Sequence, residues 1–175
     1  MRGFLYAGIF ALLVAMMACI TSEAYAARSS QKPQKSASDI KTEFFSINLP
    51  AGWIMPQPVK KQPRDSGISV AFVSEADGLA VTITIIRAAA DPKDLSAEIA
   101  KNMSESGLNA SSPEQASGNM WRMKIRGKAQ GEAWIGSSDG LSSITLILGK
   151  DLKPANALLA RIKSAPAGLL PQSIN

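Results

Sequence analysis

The chain has 175 residues, 19 Lys+Arg against 14 Asp+Glu for a net charge of +5, one cysteine and no histidine. With no imidazole anywhere, and its single thiol inside an apolar N-terminal run, the sequence excludes Ser-His-Asp and Cys-His catalysis and excludes nitrogen- or sulfur-ligated metal in the rest of the chain. The excess of cations suits an anionic envelope surface or an acidic partner; no basic run exceeds Lys60-Lys61, so no nucleic-acid partner is expected.

Residues 1–26 have the layout of a secretory signal peptide: Arg2, an apolar run over 4–20, and the small residues Ala24 and Ala26 of A-Y-A. Cleavage after Ala26 is expected, with a periplasmic or secreted product. Two alternatives stay open, both giving a membrane-anchored or lipidated envelope protein. Residues 3–20 are nearly long enough for an uncleaved anchor, and Cys19 follows Met16-Met17-Ala18, which lacks the leucine usual at the start of a lipidation site. Otherwise no contact with membrane is expected. Residues 27–40, rich in Ser, Gln, Lys and Pro, cannot bury enough apolar surface to order themselves and read as a disordered tether.

A domain spanning 41–165 follows. Phe45, Ile47 and Leu49 alternate with Ser46 and Asn48 in a first strand stopped by Pro50, and residues 53–55 read as its short continuation. Residues 57–67 are expected to form a loop carrying Lys60, Lys61 and Arg64. Strands over 68–73 and 79–86 flank Asp77-Gly78, a dipeptide suited to tight hairpins. A helix over 91–106 starts at the cap Asp91, carries Leu95, Ile99 and Met103 on one stripe and ends at Gly107. Residues 109–118 read as a polar loop.

The stretch 120–149 reads as a three-stranded meander. Trp121, Met123 and Ile125 alternate with Arg122, Lys124 and Arg126, so one face of that strand is apolar and the other carries three cations. Residues 130–135 and 144–148 form the next runs around Asp139-Gly140, and the last, apolar on both faces except at Thr145, belongs at the sheet centre. A second helix over 152–164 is expected from Ala155, Leu158, Leu159 and Ile162 at i, i+3, i+4, i+7, and residues 166–175 read as a tail.

No catalytic residue is assigned, and no cofactor is expected. Residues 136–140 match G-x-S-x-G, but that motif needs a strand-to-helix elbow and a histidine, and here it joins two strands. The S-x-x-K match at 29–32 lies in the tether. The rival reading is an envelope hydrolase or isomerase working with carboxylates alone, such as Glu43, Asp65 or Glu132 brought together by folding. Three features mark a candidate binding surface instead: the row Arg122, Lys124 and Arg126; the loop cations Lys60, Lys61 and Arg64; and Trp134, which falls out of phase with Ala133 and Ile135 and so is either exposed or covered by a helix. Trp53 and Trp121 are expected in the core.

The order of elements, with F-F-S-I-N-L-P-A-G-W at 44–53, resembles the PsbP-like family of small exported domains over about residues 43–164. The resemblance implies an α+β fold, an antiparallel sheet of about five to seven strands flanked by two helices as an α/β/α sandwich. It also implies a non-enzymatic accessory or binding module. The expected partner is an envelope protein, lipid or polysaccharide.

Overall fold

The strand expected at the centre is there. In the computed structural model, which describes residues 39–127 and 129–174, β11 (Leu141–Leu148) lies between β6 (Leu79–Ile86) and β10 (Gly131–Ser138), with register pairs Leu146↔Thr82 and Leu146↔Ala133. The expected signal peptide with Cys19 and all but the last two residues of the expected tether lie outside the described residues, among which no helix is long and apolar enough to cross a membrane.

Outward from this centre, β6 pairs with β5 (Gly67–Ser74), whose far edge carries β3 (Trp53–Ile54) and β4 (Lys60–Lys61). On the other side β10 pairs with β9 (Met120–Gly127), whose far edge carries β7 (Leu108–Ala110) and β8 (Glu114–Ser117). All these pairings are antiparallel, giving a nine-stranded sheet in which each edge is made of two short pieces. Short, interrupted edges interrupted by Pro56 and Pro58 on one side and Pro113 on the other offer no long template for a foreign strand. A second sheet joins β1 (Asp39–Lys41), β2 (Ser46–Asn48) and β12 (Ile162–Lys163).

One face of the large sheet carries Val70, Phe72, Val81, Ile83, Ile147 and Trp134, and these cluster with Ile40 and Ile47 of the small sheet, with Phe45 of the β1–β2 connection, with Leu158 and Leu159 of α2 (Ala155–Leu159), and with Leu169, Leu170 and Ile174 of the tail. On the opposite face α1 (Pro92–Glu105) packs against β7, β9 and β10 through its buried stripe Leu95, Ile99 and Met103. Its start is as expected, the Asp91 side chain accepting from the backbone N–H groups of Lys93 and Asp94. The fold is α+β, mainly antiparallel sheet with two helices.

Several expectations need correction. The strand count was too low because β4, β7 and β8 are short, and β8 is exposed at every residue; with no apolar alternation to read, such segments look like loop, and only pairing with a neighbour makes them strands. Residues 53–54 join the large sheet through Ser74 and Val73 instead of prolonging the first strand. The second helix ends at Leu159: Ile162 is buried as the periodicity required, but in strand β12 paired with Ile47, so tertiary pairing overrides local propensity. The tail is part of the core. Leu169 crosses β10 so closely that a Cβ on Gly136 would sit 2.4 Å from its carbonyl oxygen. Ser143 Oγ donates to that same carbonyl, and the Asn156 side chain bonds both backbone polar groups of Ile174.

The two D-G hairpins also differ. Asp139 and Gly140 both have positive φ (52° and 75°), as a two-residue primed turn requires, whereas the first hairpin pairs only as far as Ser74↔Leu79 and needs four residues to turn.

Candidate functional site

On β9, Met120, Arg122, Lys124 and Arg126 point to the face that also carries the small sheet and tail, because Arg122 is level with Trp134 and Lys124 with Glu132. Met120 is buried, Arg122 half-buried, and Lys124 and Arg126 exposed, so the row emerges from beneath the covered part of the sheet into solvent. Trp134 is covered, at 6% exposure. Its Nε1–H donates to Glu132 Oε2 at 3.0 Å, and Glu132 is itself only 7% exposed.

Over the indole lies the Arg122 guanidinium, its Cζ 5.7 Å from the ring centroid, inside the range of a cation–π contact. Arg122 Nε in turn donates to Glu114 Oε1 at 2.7 Å, from the level position on β8. Four residues on three adjacent strands thus form one chain of contacts: Glu132, Trp134, Arg122, Glu114. Both Nη groups of Arg122, and the ammonium and guanidinium groups of Lys124 and Arg126, have no partner among the described residues. The stacked, half-buried arginine is visible only in three dimensions; in sequence its partners lie eight and twelve residues away.

Lys60, Lys61 and Arg64 lie at the other edge. From β4 to β9 there are five strand spacings, roughly 24 Å at about 4.8 Å each, so the two basic groups do not form one surface. Lys60 and Lys61 alternate across exposed β4, and the Lys61 ammonium is tied to Asp65 at 3.2 Å. Arg64 and Asp65 both have positive φ (59° and 51°), and Gln62 beside them is buried with its Nε2 unpartnered among the described residues. Trp53 is in the core as expected. Trp121 is not: it is half-buried at the mouth of α1, with the Lys93 ammonium 6.0 Å from its ring centroid.

The three carboxylates of the enzymatic reading each have a separate partner: Glu43 pairs with Arg87, Asp65 with Lys61, and Glu132 with the Trp134 indole. Glu43 and Asp65 are exposed, and Glu132 lies on a strand three places from β5. Among the described residues no cluster of three or more carboxylates is placed to hold a metal ion. Gly136 of the G-x-S-x-G match serves the close approach of the tail.

Comparison of the chain with protein-family models, with curated proteins and with solved structures found no match.

Proposed function

We propose that this protein is a non-catalytic, exported binding module of the cell envelope, a sandwich of the PsbP-like type, that recognises an anionic partner through Arg122, Lys124 and Arg126. One observation carries the reading. Arg122 is held over a buried indole that is itself anchored to a buried carboxylate, while its Nη edge stays unused. An exposed ion pair is worth at most about 1 kcal/mol, which gives little reason to support a surface arginine so thoroughly. Holding its rotamer in advance lowers the ordering cost of binding an oxyanion, and a guanidinium suits a two-point contact with one. Export rests on the apolar run and A-x-A site of residues 1–26.

The test is a titration with tripolyphosphate followed by NMR. Shifts are expected at the amides of Arg122, Lys124 and Arg126 and at the Trp134 indole N–H. A variant with all three cations changed to glutamate, melting at the same temperature, should show none; equal binding by both proteins refutes the assignment.

A further inference from the structure

The geometry of the row narrows the partner further, given the reading of β9 as a binding face. Side chains on one face of a strand recur every two residues, about 6.8 Å, so Arg122, Lys124 and Arg126 form a straight line of cations about 14 Å long. The line is one strand wide. Glu114 on β8 stands level with Arg122 on one side, and Glu132 on β10 stands level with Lys124 on the other. Neither β8 nor β10 carries a cation, Glu132 and Trp134 beside the row are buried, and Glu114 is exposed, so the positive charge stands in single file and a broad anionic plane such as a bilayer surface would meet Glu114 at its side without gaining further cations. A narrow polyanion running parallel to the strand meets only the cations.

An acidic peptide fits less well. Extended peptides gain most of their affinity by adding a strand to an open edge. Both edges of β9 are occupied, by β10 on one side and by β7 and β8 on the other, so a peptide lying across its face would forgo those backbone bonds. The row also has no exposed aromatic or aliphatic anchor, since Trp134 is buried beneath Arg122. What remains is a flexible chain whose charges lie on the backbone itself at intervals near the strand period.

We propose that β9 binds a linear phosphodiester polymer of the polyol-phosphate kind, laid along the strand with successive phosphates on Arg122, Lys124 and Arg126. Arg122, held by Glu114 and Trp134, sets the register, and the exposed Lys124 and Arg126 follow.

Glycerol phosphate chains of one, three and six units, titrated into the protein calorimetrically at several salt concentrations, test this. The trimer should bind on the order of tenfold or more tighter than the monomer, with little further gain per site at six units. With three phosphates engaged and the coefficient for flexible single-stranded polyanions, log K should fall against log salt with a slope of about −2, and Arg126→Gln should reduce that slope by about 0.7. Phosphatidylglycerol vesicles and polyglutamate should compete poorly. If the monomer binds as tightly as the trimer, or if either competitor displaces the trimer at equal charge, the linear-polymer assignment fails while the anion-binding reading stands. If neither glycerol phosphate nor tripolyphosphate binds, or if the triple glutamate variant binds the trimer as the wild type does, both fail.

Discussion

Thr145 offers a sharp test of how the centre of this fold is stabilised. It lies on β11, level with Trp134 on one side and Ile83 on the other, fully buried, and its Oγ1 has no hydrogen-bond partner among the described residues. A buried hydroxyl left unbonded costs about 1–3 kcal/mol by the mutational measure. Valine keeps the β-branched shape and fills the same space with a methyl group, so Thr145→Val should stabilise the protein by about 1–2 kcal/mol. At roughly 3–5 °C per kcal/mol for a domain of this size, the thermal midpoint should rise by about 3–10 °C. Thr145→Ser keeps the unbonded hydroxyl and removes the methyl, so it should destabilise by about 1 kcal/mol. Urea unfolding should show the midpoint order Val above Thr above Ser, at unchanged slope. A valine variant less stable than the wild type would mean that the hydroxyl is satisfied, and the account of this core as an apolar layer with one orphaned donor would be wrong.

Leu146→Ala, on the opposite face of the same strand, removes a side chain that is 4% exposed and should cost about 2–5 kcal/mol, against almost nothing for Ser117→Ala on exposed β8; equal urea midpoints for the two would mean that β11 is not the fold's centre. Ser143, which looks like a neutral site near the turn, is no such control because its hydroxyl anchors the tail at Leu169. Gly136→Ala forces the new Cβ against the Gly168 and Leu169 carbonyls and should destabilise by about 1–3 kcal/mol, with hydrogen-exchange protection lost first at residues 169–174; unchanged protection there would show that the tail does not depend on this contact.

Much of the fold was legible along the chain. The alternation of Trp121, Met123 and Ile125 with three cations, the doubly apolar run at 144–148 and the Asp91 cap are local patterns: the two-residue period of a strand and the reach of a capping side chain are set by nearby backbone, whatever later covers the face, although Trp121 itself ends half-buried. The cationic row itself was equally readable, since strand period alone places its members on one face. Tertiary structure decided the rest. Short edge strands exist only through partners on β5 and β9, Ile162 leaves its helix to pair with Ile47, and the tail joins the core through Leu169, Leu170 and Ile174, held there by Ser143, Asn156 and the bare backbone of Gly136. The same is true of the site: that the loop cations and the β9 cations stand at opposite edges, and that Trp134 lies covered between Glu132 and Arg122, follows from strand order and cross-strand register. Those are long-range pairings, whose energy comes from the surfaces they bury together, and no window of the sequence contains both sides of them.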